Sequence, residues 1–270
     1  MHPLLAFAIG VAVGAAAAAG LAAVLARRAR QRALDSERRA RDAEHLAYVG
    51  TLTGGLAHEI RNPLSTLTLN LQLLREDLDR PGAAADARLR RKLDTLEQEA
   101  ARLQQILDDF LKLAGKHEVR LKARPLNPIV EDIAAFYADR LQRAGIQVRT
   151  SLAEGLPPVA LDGDRLKQAV ANLILNAEAA MPDGGELMIA TEADRRDVRL
   201  HVTDTGAGIA PEDLDKVFQP YYSTRSGGTG LGLPTVRRIV TEHRGRVDVQ
   251  SDLGRGTRFT IHLPAAEDQT

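Results

Sequence analysis

The chain has 270 residues, with 36 basic and 36 acidic side chains and no formal net charge. That length suits roughly two domains, and the charge balance points to no polyanion partner. Aromatic residues make up 3% and tryptophan and cysteine are absent, which argues against base stacking and direct nucleic-acid binding and excludes disulfides and thiol chemistry.

The run from Leu4 to Leu25 carries no charge. It exceeds the roughly 20 residues that a helix needs to span a bilayer. A cleaved signal peptide would want a basic start, which Met1-His2-Pro3 lacks. Arg27, Arg28, Arg30 and Arg32 follow the run, so the positive-inside tendency places everything after it in the cytoplasm. The expectation is a transmembrane anchor over 1–26 in the inner membrane. With three residues ahead of the span, no extracellular sensing domain is expected. Gly10 and Gly14 fit the small-xxx-small pattern, which discriminates little in so Ala-rich a segment.

Residues 27–48 are charged and free of Gly and Pro. Ala33, Ser36, Ala40, Ala43 and Ala47 give a thin seam, read as a helical linker: a coiled coil, or a solvated single helix. Within an expected domain over 49–116 the seam strengthens after Pro63. Leu64, Leu67, Leu71, Leu74 and Leu78 keep a three-four rhythm, Arg80-Pro81-Gly82 marks a turn, and Leu89, Leu93, Leu96, Ala100, Leu103, Leu107, Phe110 and Ala114 resume the rhythm until Gly115. This predicts an antiparallel helical hairpin whose uncovered stripe calls for a second copy: a homodimeric four-helix bundle.

The first hairpin helix holds Leu-Ala-His58-Glu59-Ile-Arg-Asn62-Pro63-Leu. His58 and Asn62 share a face, and Glu59 lies about 100° around the helix. Pro63 has no N–H to give and weakens the helix near the imidazole. A nucleophile, a carboxylate and an amide are gathered at one point. A lone helix histidine is more often a surface residue; the glycine-rich segments downstream reverse that reading.

From 117 to 266 the pattern is mixed α/β. Asn127-Pro128 reads as a helix cap followed by proline at the first position, with the helix running to about Ala144. Ile146–Arg149 and Val159–Leu161 read as strands. Asp162 or Asp164 caps a helix carrying Leu166, Val170, Leu173, Ile174 and Ala177. Leu187–Thr191 and Val198–Val202 read as a β-hairpin after a Pro182-Asp-Gly-Gly turn. Leu231–Glu242 reads as a helix, and Val247–Gln250 and Arg258–His262 as final strands. The expected architecture is a two-layer α/β sandwich, with 267–270 a tail.

Three places there carry chemistry. Asn172 and Asn176 share a helix face, and amide oxygens suit Mg²⁺. Asp204-Thr-Gly206-Ala-Gly208 follows a strand; its carboxylate can accept from an exocyclic amine while the glycines let backbone pass close to a flat ring. Gly227-Gly228-Thr229-Gly230-Leu231-Gly232-Leu233 opens a helix, where N–H groups and the helix dipole cradle phosphate. It is not a Walker loop, since no Gly-Lys-Ser/Thr follows.

In this order and spacing the chain resembles the two-component sensor histidine kinases. His58-Glu-Ile-Arg-Asn-Pro-Leu is similar to their phosphoacceptor box, Asn172-Leu-Ile-Leu-Asn176 to the asparagine box, Asp204-Thr-Gly-Ala-Gly to the first glycine box, Phe218-Gln-Pro-Tyr221 to the phenylalanine box, and Gly228-Thr-Gly-Leu-Gly-Leu to the second glycine box. The likeness covers roughly 46–264. It implies a dimerisation and phosphotransfer hairpin followed by the ATP-binding sandwich shared with gyrase-type ATPases. The segment Tyr221-Tyr-Ser-Thr-Arg-Ser-Gly-Gly looks most like the nitrogen-regulation branch, whose response regulators are often transcription activators. The resemblance implies ATP and Mg²⁺ as cofactors, with Asn176 on the metal, Asn172 near the phosphates or assisting the metal, Asp204 on adenine, and Gly206, Gly208, Gly228, Thr229, Gly230, Leu231 and Gly232 around the nucleotide. It also implies His58 as the phosphoacceptor, Glu59 orienting its ring, Asn62 positioning water in a phosphatase reaction, and a response regulator as partner. The alternative is a dimeric, nucleotide-binding adaptor or phosphatase without autokinase activity.

Overall fold

In the computed structural model the described residues are 30–31, 46–47, 49–50, 52–76, 85–115, 119–194, 197–225 and 228–266. They divide into two compact units, 1–53 and 54–270. In the first, the described stretches are helical. The membrane span expected at 4–25, most of the linker seam and the turn at 80–82 lie outside the described residues, as do His45 and His117. Among the described residues no helix is long and apolar enough to cross a membrane.

Helix α1 covers residues 52–76 and α2 covers Ala85–Ala114. They run antiparallel: Glu59 meets Arg102, and Lys92 Nζ donates to the Leu73 carbonyl at 2.9 Å, so rising numbers on one helix face falling numbers on the other. Gly115 ends α2 as expected, its N–H returning to Leu111 O at 2.9 Å. The seam divides into two faces. Ile106 and Leu113 are buried, and Leu96, Leu103 and Phe110 are half-buried within the hairpin. Leu64 and Leu71 on α1, and Leu93 and Leu107 on α2, are exposed at seven- and fourteen-residue spacings. The expected seam held Leu64, Leu71, Leu93, Leu96, Leu103, Leu107 and Phe110 but neither Ile106 nor Leu113, and the structure buries only part of it within one chain.

The α/β part follows as β1 (Lys122–Arg124), α3 (Asn127–Arg143), β2 (Ile146–Leu152), β3 (Val159–Leu161), α4 (Gly163–Ala180), β4 (Gly185–Asp194), β5 (Asp197–Asp204), a 3-10 turn at Pro211–Asp213, α5 (Gly232–Glu242), β6 (Arg246–Asp252) and β7 (Gly256–Pro264). The main sheet has the order β2-β4-β5-β7-β6, with β2 and β4 parallel and the other pairs antiparallel. β1 pairs with β3 in a separate two-stranded sheet. Strand β5 alternates strictly, with Val198, Leu200, Val202 and Asp204 inward. One face of the sheet therefore packs on the helices: Ile189, Leu200 and Ile261 meet Val170, Leu173 and Ile174 of α4 and Val236, Ile239 and Val240 of α5 in one core. The expected two-layer sandwich is present.

One local expectation changes, and one strand was not expected. Asn127 is not the cap of α3. Leu126 holds that position without a side-chain bond, and proline sits in the first turn. Asn127 instead donates to Ala153 O at 2.8 Å and accepts from Thr191 Oγ1 at 2.9 Å, so it ties α3 to the ends of β2 and β4. Strand β1 had no sequence signal: Lys-Ala-Arg is exposed along its length and is fixed by pairing with β3.

Candidate functional site

Helix α4 positions the two asparagines. Asp162 is its cap, accepting the Arg165 N–H at 3.4 Å and the Arg120 N–H at 3.0 Å. Burial raises the Asp162 carboxyl, but these N–H donors and the nearby His243 outweigh it and hold it below its ordinary value. Leu166, Val170, Leu173, Ile174 and Ala177 anchor the inner face. That leaves Asn172 and Asn176 on the side toward α5. Asn172 Nδ2 donates to Gly232 O at 3.2 Å. Asn176 Nδ2 is buried and has no hydrogen-bond partner among the described residues.

Strand β5 delivers Asp204, which is 5% exposed. Its Oδ1 accepts the N–H of Gly206 at 2.9 Å and of Thr257 at 3.3 Å. Burial pushes the carboxyl above its usual value, against the pull of those N–H groups and of the Arg225 charge. The opposite carboxylate oxygen is left for a ligand. Gly208 has φ +71°, and a side chain there would run into the Asp252 carbonyl where the β6–β7 turn closes.

Past Phe218, whose ring stands edge-on to Phe259 at 6.3 Å, the chain turns through Tyr221 at φ +64°. Tyr221 N–H bonds Gly230 O at 3.1 Å. Gly230 sits at φ +65° against the Tyr221 backbone, a place no side chain fits. Thr229 Oγ1 accepts the Leu231 N–H at 3.4 Å. Helix α5 then starts at Gly232 without a side-chain cap, so its first N–H groups remain available.

These segments meet in one cavity of about 620 Å³. Asn172, Asn176, Asp204, Gly208, Gly228, Thr229, Gly230, Leu231 and Gly232 all line it. Gly206 does not; it holds the Asp204 carboxylate through its N–H. Gly227 lies outside the described residues. Arg165, Arg225, Thr257, Gln105 and Asp109 also line the cavity and carried no sequence signal. The last two come from α2. The cavity suits a magnesium nucleotide. Among the described residues it has a buried carboxylate with one oxygen unbonded, a buried amide nitrogen lacking a partner, and a glycine-rich turn that leads into a helix start without a side-chain cap.

His58 is elsewhere, exposed on α1 and not among the cavity-lining residues. Asn62 is also exposed, its carbonyl accepting from Thr66 Oγ1 at 3.3 Å. Glu59 is half-buried and faces Arg102 of α2 at 3.8 Å, so its partner in this structure is an arginine rather than the imidazole. The helix continues through Pro63, which is buried. Of the other histidines, His243 is 1% exposed, with Nδ1 at 2.7 Å from Ile239 O and Nε2 accepting the Asp162 N–H at 2.9 Å. His201 and His262 bond Thr260 and Asp248 on the sheet. Burial, then Arg246, lower His262 below the ordinary imidazole value.

Residues 48–117 match the family model of the His Kinase A (phospho-acceptor) domain. Residues 161–267 match that of the histidine kinase-, DNA gyrase B- and HSP90-like ATPase. The chain is 35% identical to sensor histidine kinase ZraS of Escherichia coli (strain K12), over 88% of this chain and 49% of that protein. It is 31% identical to sporulation kinase E of Bacillus subtilis (strain 168), over 86% of this chain and 31% of that one. It thus spans half or less of the length of these relatives. Among solved structures, histidine kinase ThkA in complex with response regulator protein TrrA is similar, with a TM-score of 0.67 and 25% identity over 84% of this chain and 65% of that chain. Full-length ShkA in complex with AMPPNP has a TM-score of 0.57 and 27% identity over 80% of this chain and 45% of that chain.

Proposed function

The chain belongs to the two-component sensor histidine kinases, and from that premise we propose that it transfers the terminal phosphoryl group of ATP to His58 and then to an aspartate of a response regulator. The observation that carries this reading is the cavity that unites Asn172, Asn176, Asp204 and the Thr229–Gly232 turn in one chain with an exposed imidazole. The phosphotransfer hairpin corresponds to 49–116 and the nucleotide domain to 117–266.

The free oxygen of Asp204 accepts the exocyclic amine of adenine, and Gly208 leaves room for the ring. The Thr229 hydroxyl and the N–H groups from Gly230 to Gly232 hold phosphate oxygens, with Asn172 beside them. Asn176 offers its amide oxygen to Mg²⁺, which when bound neutralises charge on the phosphates. Transfer is in line, so positioning and charge neutralisation supply most of the rate. A lone pair of neutral His58 forms the N–P bond as the bond to the bridging oxygen of ADP breaks. The ring is left with its other N–H and a positive charge. Glu59 takes that N–H, exchanging Arg102 for the imidazole. Because His58 stands outside the cavity, the nucleotide domain moves relative to the hairpin before transfer.

The exposed leucines of both hairpin helices support a homodimer closed as a four-helix bundle. Residues 4–25 anchor the chain in the inner membrane with the catalytic part cytoplasmic. Asn62, on the same face as His58, positions water for dephosphorylating the partner regulator, read as a transcription activator. The test is incubation of the purified chain with γ-labelled ATP, followed by mapping of the label.

A further inference from the structure

One wall of the nucleotide cavity comes from the hairpin. Gln105 and Asp109 of α2 line it together with the asparagines of α4. Asp109 is fully engaged there. Its Oδ1 accepts Gln105 Nε2 at 2.8 Å, and its Oδ2 accepts the hydroxyl of Thr229 at 3.0 Å. Thr229 is the one hydroxyl of the glycine-rich turn between Gly228 and Gly232. Its single proton goes to a carboxylate of the other domain.

This bond belongs to a wider docked face. Arg238 of α5 donates to the Leu113 carbonyl, and to the Gly115 carbonyl at 3.0 Å, gripping the last turn of α2. Glu242 steadies Arg238 at 2.9 Å and also takes Arg165, a cavity residue, at 3.0 Å. The Tyr221 ring lies against Gly55 of α1. The turn that should meet phosphate is thus held to the hairpin.

A carboxylate oxygen and a phosphate oxygen are the same thing to a threonine hydroxyl: an anionic acceptor. Both cannot take its proton, and Asp109 would also repel an incoming triphosphate. We propose that Asp109 stands in for a nucleotide phosphate on Thr229, so that the hairpin and the phosphate chain of ATP compete for one turn. This rests on the ATP-site reading above. Nucleotide binding then loosens α2 from the glycine-rich turn, which is the movement that access to His58 requires.

The test is titration calorimetry of the full chain with a non-hydrolysable ATP analogue and Mg²⁺, and separately with adenosine, which has no phosphate. Asp109→Ala should tighten analogue binding about tenfold, the worth of one charged hydrogen bond no longer surrendered. Adenosine binding should not change. Asp109→Asn keeps the shape while removing the charge. It should shift in the same direction by less, and it carries the test if the alanine variant fails to fold. Unchanged or weaker analogue binding, or an equal change for adenosine, overturns the proposal. If the wild type binds the analogue and Asp204→Asn binds it far more weakly, the ATP site stands and a null result at Asp109 counts against this competition alone. If the wild type binds neither probe, both readings fall.

Discussion

Asp204 accepts the backbone N–H of Gly206 at 2.9 Å through the same oxygen that Thr257 N–H reaches, and among the described residues its other oxygen has no hydrogen-bond donor. Asp204→Asn should lower affinity for adenine nucleotides by about a hundredfold, since a charged acceptor becomes a neutral amide. The same change should raise the Tm of the nucleotide-free protein at neutral pH. Folded Asp204 keeps its proton to higher pH than the unfolded chain does. Its ionisation therefore costs stability as pH rises between the two values, and the full cost is present above the folded one. Calorimetric titration and thermal melts check the two halves separately.

Nucleotide binding should weaken as pH falls, because a protonated carboxyl loses its acceptor strength. The decline should begin above the ordinary aspartate value of about 3.9, as burial raises Asp204. Affinity measured against pH should show a steeper descent in the wild type than in Asp204→Asn, the difference between the two being the part that Asp204 contributes.

Most of the α/β elements were legible because burial on one face writes itself as alternation in strands and three-four spacing in helices. Val198, Leu200 and Val202, and Leu166, Val170, Leu173 and Ile174, are such cases. Asn127 was misread because Asn before Pro is a cap locally, while Thr191, far along the chain, claims its side chain. The cavity's asparagines, Asp204 and Thr229 were legible from local motifs. Asp109 and Gln105 were not, since a polar pair four apart on a helix is ordinary until the fold brings the glycine-rich turn against it. Arg225 was equally silent: its bearing on Asp204 exists only in three dimensions.

The two asparagines should separate cleanly. Asn172→Ala removes the donor to the Gly232 carbonyl and should cost about 1–2 kcal/mol of stability. Asn176 Nδ2 has no partner to lose, so Asn176→Ala should leave the Tm unchanged or higher while abolishing the Mg²⁺ dependence of analogue binding. Denaturant melts and titrations with and without Mg²⁺ check both.

Leu71 and Leu107 are exposed, at 51% and 47%. Leu71→Glu combined with Leu107→Glu should convert a dimer into a monomer with the hairpin intact, because burying unpaired carboxylates between two copies is costly. Light-scattering mass reads the outcome; a dimer retained in the double variant would place the interface elsewhere.

Whether His58 takes the phosphoryl group is read most directly from the fate of γ-labelled ATP incubated with the full chain and with its His58→Gln variant. Acid-labile, alkali-stable label is expected on the wild type and none on the variant, which should fold normally because residue 58 is exposed. Label retained without His58 would contradict the phosphoacceptor assignment, and no label on a wild type that binds ATP would leave a nucleotide-binding adaptor in place of a kinase.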